Sequence, residues 1–322
     1  MIVYAGPAAP AVRRGEFLPF PGARSRCRAI PYPGFEADGG DPWSGTYARP
    51  GDVETGVGPG GAAAWSAALS RIPPGKVLVG TAAPAESVYG AAAAAVAAAR
   101  ELGRGVVLVE SVESRTAAAP GPDLVRVVPW EAAPDFWTRF ARRPHASGVA
   151  LPLVPGWTGT EEFLERMLPA ARAVGASFLA PFELRGEGAT RAAIHADYAK
   201  LRPEESDAFF DAIHHRDWET RTREARACLR RACGEAGFST RIPAIAGAAE
   251  FPANARLVEA FEIAAETAGE PRASDLLAAA RRLEDLGRDV EEVARDGNLR
   301  LLWPPDSPEG RIAADLFSVR PA

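Results

Sequence analysis

Lysine is nearly missing from this chain. Of 37 basic residues only Lys76 and Lys200 are lysines, and the rest are arginines. Set against 42 acidic residues they leave a net charge of -5, which excludes a strongly basic nucleic-acid surface over the whole molecule. Cysteine is almost as scarce: Cys27, Cys228 and Cys233. An odd number of thiols at irregular spacing excludes a disulfide framework and fits a reducing compartment. No apolar run is long enough for a membrane span, and the Ala-rich stretch 90–99 is too short and too weakly apolar to make one. The opening residues contain Pro7 and Pro10 and no long apolar core, so a secretory leader is not expected and the chain reads as cytoplasmic. Residues 1–60 also lack periodicity. Rich in Pro, Gly and Arg, they read as an irregular segment laid over the surface of a domain.

Against these absences, 322 residues with 47 % hydrophobic and 25 % charged content suffice for one large α/β domain and a smaller piece. Regularity begins near Gly75. The stretch 149–183 carries the clearest pattern: an apolar run Ala150–Val154, a Pro155-Gly156 turn, an amphipathic helix and a second strand over 177–182. Thr158 or Thr160 can cap the helix, with Glu161 and Glu162 in its first turn. Phe163, Leu164, Met167, Leu168 and Ala171 share one of its faces, and Gly175 stops it. Similar units precede it: strands over 76–80, 106–109, 124–128 and 148–154, and helices over 87–102 and 135–142. Strands alternating with helices predict a parallel sheet or barrel.

Beyond it, 203–237 reads as helical, with Phe209, Phe210 and Ile213 on one face. A further strand is predicted over 238–242 and a linker over 243–252. From Ala255 the pattern is helical: one helix from Leu257, one over 276–286 capped by Ser274, one over 290–295 after Asp289, and one over 312–317. The expected organisation is an irregular segment 1–60, a barrel-like domain 61–245 and a helical domain 255–318.

Residues at carboxyl ends of strands line the active face of a barrel. Glu183, Arg185 and Glu187 follow one strand; Glu183 suits a base or an amine ligand, and Arg185 a clamp on carboxylate or phosphate. An exposed loop with a local ion pair suits them equally. Glu110, Glu113 and Arg115 follow another strand and fit either a polar ligand or solvent. His214-His215-Arg216-Asp217 is dense in ligating side chains, but adjacent helix positions diverge by about 100°, so a solvated helix end is the better reading. His195 reads as a polar surface residue. GVGPGG at 56–61 lacks the Lys and Ser/Thr of a phosphate loop and reads as a flexible connection. Trp130, Phe136, Trp137 and Phe140 read as packing.

Three segments over 75–190 resemble the radical S-adenosylmethionine superfamily, particularly its spore photoproduct lyase-like branch. They are Val77-Leu78-Val79-Gly80-Thr81 with Pro84 and Glu86, Leu151–Gly156 with Thr158 and Glu161-Glu162, and the small-residue helix end 170–176. The resemblance implies a partial (β/α)6 TIM-like barrel and a small C-terminal all-helical domain beside it. It further implies cofactor-binding roles for Cys27, Gly80, Thr81, Pro155 and Gly156, while the strand-end residues Glu183, Arg185 and Glu110 are the candidates for catalysis. The family's CxxxCxxC motif, which holds a [4Fe–4S] cluster on three thiolates, is absent. After Cys27, Pro31 and Gly34 stand where thiolates are required. The reading is a barrel that has lost its cluster, with no cofactor or metal expected, acting as a binding or regulatory protein on an unknown small molecule. S-adenosylmethionine and the cluster enter only if a partner chain or other ligands complete the site. The alternative is an active enzyme of that type, or a cofactor-independent lyase or hydrolase using carboxylates at the strand ends.

Phe261–Leu302 resembles the helical region of family X DNA polymerases that leads into a helix-hairpin-helix, through Glu266–Glu270, the 279–283 helix, Asp289-Val290 and Gly297-Asn298-Leu299. This implies DNA as a possible partner of the C-terminal domain. In place of the family's Leu-Pro-Gly-Ile-Gly turn stands Leu302-Trp303-Pro304-Pro305-Asp306, whose prolines lack amide donors and whose Asp306 repels phosphate.

Overall fold

The computed structural model describes residues 2–5, 28–30, 66, 70, 76–80, 86–110, 112, 116–130, 133–142, 148–183, 188–214, 218–243, 245–247, 251–284, 286 and 288–317. Its centre is an all-parallel sheet: β1 (Ile2–Ala5), β2 (Arg28–Ile30), β3 (Lys76–Gly80), β4 (Val106–Val109), β5 (Leu124–Pro129), β6 (Gly148–Leu153) and β7 (Phe178–Glu183). Strand order is β2-β1-β3-β4-β5-β6-β7. From β3 to β7 the strands follow in chain order, whereas β1 sits between β2 and β3. Two of these strands come from the segment expected to be irregular. Ile2, Val3 and Tyr4 favour a strand, and the segment Ile2–Ala5 pairs with β3 in the register Val3↔Val77 and Ala5↔Val79.

The helices are α1 (Glu86–Glu101), α2 (Phe136–Ala141), α3 (Glu161–Ala173), α4 (Gly188–Leu201), α5 (Ser206–His214), α6 (Trp218–Glu235), α7 (Pro252–Thr267), α8 (Arg272–Glu284), α9 (Val290–Arg295) and α10 (Pro308–Phe317). No described helix is long and apolar enough to cross a membrane. The architecture is mixed α/β, with a helical part at the C-terminal end.

The βαβ unit 148–183 forms as its sequence dictates. Thr160 caps α3 by accepting from the Phe163 amide at 3.3 Å. Leu164, Met167, Leu168 and Ala171 are the buried residues of α3. Gly175, at φ +76°, ends it, while the Ala176 amide reaches back to the Ala171 carbonyl at 3.0 Å. Thr158 has a different task. Fully buried, its hydroxyl accepts from the Val154 amide at 2.9 Å and donates to the Pro152 carbonyl, tying the turn to the end of β6.

The register Val128↔Val149↔Leu179 places Val128, Val149, Leu151, Leu153 and Leu179 on one sheet face. These residues share one core with Phe136 and Phe140 of α2, the buried side of α3, and Leu229 and Cys233 of α6. Each such fully buried Leu or Phe contributes about 1.5–3 kcal/mol. The aromatic residues expected to pack do so: Trp130 meets Trp157 and Phe163 edge-on at centroid distances of 5.7 and 5.2 Å. The strand expected over 238–242 reduces to one parallel bridge, Ser239 to Phe178. Of the aromatic face of α5, Phe209 and Ile213 are buried, whereas Phe210 is exposed against His195 and His214. Neighbouring helix positions diverge by about 100°, so Phe209 and Phe210 cannot both face inward.

The C-terminal helices have their own core of Leu257, Phe261, Leu276, Leu283, Val290 and Trp303. Asn254 is buried and acts as a staple: it accepts from the Val290 amide at 2.7 Å and donates to the Arg288 carbonyl at 3.1 Å. Asp289, the residue before α9, caps that helix by accepting from the Glu291 amide at 2.8 Å. Ser274 does not cap α8. The helix begins two residues earlier, just after Pro271, and the Ser274 hydroxyl donates to Glu270 within the first turn at 2.7 Å.

Candidate functional site at the carboxyl end of strand β6

A groove of about 520 Å³ opens where the β6–α3 turn faces α6. Its lining on the turn side is Pro155, Gly156, Gly159 and Glu161, and on the helix side Arg221, Glu224, Ala225, Ala227, Cys228 and Arg231. The turn leaves the end of β6 through Pro155 and reverses at Gly156, whose φ of +78° suits glycine. It then presses Gly159 onto α6. Trp157, inside this turn, is buried against Tyr198 at 5.3 Å and Phe209 at 6.1 Å, which anchors the turn from below.

The wall given by α6 is a helical stripe: positions 221, 224, 225, 228 and 231 recur at intervals of three and four. Arg231 donates to Glu161 at 2.5 Å across the groove. Burial pushes the Cys228 thiol up, against the opposing pull of Arg231, so the sulfur stays protonated and uncharged at neutral pH. The groove therefore offers two arginines, two glutamates and an apolar floor.

Pro155 and Gly156, singled out in the sequence, both line the groove. Gly80 ends β3, and Glu183 ends β7 in register with Leu153 of β6. Cys27, Thr81 and Arg185 lie outside the described residues, as do Glu113, Arg115, Glu187 and His215. Glu110 follows β4 as expected, but it is fully buried and accepts from Arg126 of β5 at 2.5 Å. Arg126 in turn donates to the Ala118 carbonyl at 2.7 Å and the Thr116 carbonyl at 3.3 Å. This is a dry ion pair that ties the β4–β5 loop to the sheet. His214 stands exposed at the end of α5, and His195 bonds to Ser206 at 2.9 Å. Arg221, Glu224, Arg231 and Gly159 were not foreseen. Their signal is the stripe on α6, legible once the helix is drawn as a wheel, but nothing in the sequence says which loop it faces.

Among the described residues, the two cysteines Cys228 and Cys233 do not converge on a site for an iron–sulfur cluster. Cluster ligands are deprotonated sulfurs that converge on one point. Cys233 is wholly inside the apolar core, with its thiol pushed up to about 12 by burial. Cys228 lines the groove, five residues away on the same helix and about 140° around it. Among the described residues, no group of three His, Cys, Asp or Glu side chains is placed to hold a metal ion.

Comparison with protein-family models, with curated proteins and with solved structures gives no significant match.

Proposed function

We propose that this chain is a radical-SAM-like barrel derivative that works without an iron–sulfur cluster, binding a small polar molecule at the carboxyl end of its sheet. The observation that carries the binding reading is the groove beside Pro155 and Gly156, whose volume lies in the range of small-molecule sites. The consecutive order of β3 to β7, all parallel, supports an ancestry in a partial (β/α)6 barrel. The chemistry of the cysteines supports cluster loss.

The alternative, an enzyme using Glu183, Arg185 and Glu110, has less support because the Glu110 carboxylate is already held by Arg126. A DNA partner for the helical part also has less support. Residues 252–317 carry eight arginines against fourteen Asp and Glu residues. Trp303, in the segment corresponding to the hairpin, is buried against Phe261 at 5.3 Å.

Two measurements on the full chain test the reading. Anaerobic reconstitution with iron and sulfide should leave the protein colourless, and a stable brown monomer would refute cluster loss. Ligand-observed NMR against a mixture of common metabolites should reveal a binder displaced by filling the groove in a Gly156→Trp variant. A binder unaffected by that change would place the site elsewhere.

A further inference from the structure

The geometry points to a ligand that carries a free ammonium and a free carboxylate close together, the chemistry of a free α-amino acid, held between Arg221 and Glu224. This rests on the groove being a binding site. Helix α6 carries five arginines, and four are engaged. Arg223 donates to Glu270 at 2.6 Å, Arg230 to Glu266 at 3.0 Å and Arg231 to Glu161 at 2.5 Å. Arg226 acts on Glu262 through its charge. Arg221 is the exception: among the described residues it has neither a hydrogen-bond nor an ion-pair partner, and the same holds for Glu224. Both line the groove.

Three positions apart on a helix, their Cβ atoms are about 5–6 Å from each other, yet the two side chains do not pair. One wall thus presents a cation and an anion side by side, each with its bonding capacity unused. A simple anion drawn to Arg221 would meet repulsion from Glu224, and a simple amine would meet the converse. A zwitterion satisfies both at once. The guanidinium fork takes a carboxylate through two parallel bonds. The Glu224 carboxylate takes the ammonium. Ala225, Ala227 and Cys228 leave an apolar floor for a side chain, and the other charged residues of the groove, Arg231 and Glu161, are bonded to each other. Selectivity for the two charges therefore rests on the helix pair.

The test is isothermal titration of the full chain with the free L-α-amino acids, each beside its N-acetyl and its carboxamide derivative. At least one free amino acid should bind, with both derivatives about 10-fold or more weaker, equivalent to about 1.4 kcal/mol for each lost charge contact. Arg221→Met should abolish this binding. Glu224→Gln should bring the N-acetyl derivative level with the parent. Should either variant fail to fold, the derivative comparison in the unaltered protein reads the same point. Equal binding of parent and N-acetyl derivative by the unaltered protein overturns the zwitterion. So does binding of inorganic phosphate in place of amino acids, although the groove would stand as a site. If no metabolite shifts any groove resonance in an NMR titration, both readings fall.

Discussion

Gly159 and Ala225 meet so closely that a Cβ on the glycine would overlap the alanine methyl and lie 2.8 Å from its Cα. Here the β6–α3 turn and α6 touch, and the contact sets the width of the groove. Gly159→Ala should push α6 away and cost about 1–3 kcal/mol, the usual penalty for overpacking. Urea unfolding reads the loss. Unchanged stability would mean that α6 is free to move, and that the groove has no fixed width.

Thr158 is the second pin of the same turn. Replacing it with Val keeps the shape and removes the hydroxyl. The Val154 amide and the Pro152 carbonyl then lose their partner in a buried site. The expected cost is about 1–3 kcal/mol by denaturant unfolding. The exposed Glu162→Gln control should leave stability nearly unchanged, because surface ion pairs such as Arg202 to Glu162 contribute little.

Glu110→Gln separates a structural from a chemical role. It strands the Arg126 charge in surroundings where the arginine side chain is 8 % exposed. Breaking a buried pair on one side costs about 3–5 kcal/mol. The double variant Glu110→Leu with Arg126→Met should recover part of that loss. It cannot recover all, because the Thr116 and Ala118 carbonyls still lose a donor. If Glu110→Gln folds with unchanged stability, the pair is not what holds this loop.

What could be read from the sequence was local. The βαβ unit 148–183 was legible because a continuous apolar run, a period-3.6 apolar pattern, a threonine cap and a glycine stop all agree there. Asp289 was legible only as the residue before a helix, and its capping bond to the Glu291 amide came from the structure. Strand β1 was not legible, because four residues beside prolines carry too little pattern and the partner that joins it to the main sheet lies more than seventy residues away. The groove was half legible. Pro155 and Gly156 mark the end of a strand, where sites form, but Arg221 and Glu224 are paired with them only by tertiary packing. Glu110 shows the opposite failure: its position at a strand end was right, yet sequence alone could not reveal the arginine one strand over that holds its carboxylate.

Burial pushes the Glu262 carboxyl up from its ordinary 4.5, with Glu259 and Glu266 adding to the effect and Arg241 and Arg226 opposing it. A carboxyl raised in the folded state favours folding while it is protonated. That contribution is fully present below pH 4.5 and is lost as pH rises through the higher folded value. Glu262→Gln should therefore stabilise the protein at neutral pH and make no difference at pH 4. Melting curves at the two pH values check this. A variant less stable at neutral pH would show that the arginines outweigh burial, and that the contact between α7 and the 239–241 segment depends on the charge.

The helical part should not bind duplex DNA. Affinity for DNA comes mainly from cations that release counterions from phosphates, and its logarithm falls linearly with the logarithm of salt concentration. Fourteen acids against eight arginines over 252–317 oppose that contribution. Arg256 and Arg288 are further offset by Glu291 at 3.5 Å and Asp296 at 3.4 Å. Pro304 and Pro305 lack the amides that a hairpin would aim at a phosphate. Fluorescence anisotropy with a labelled duplex, using the full chain at low salt, should give no change. Binding that weakens steeply as salt is added would reverse this and assign the helical part a phosphate-contacting surface after all.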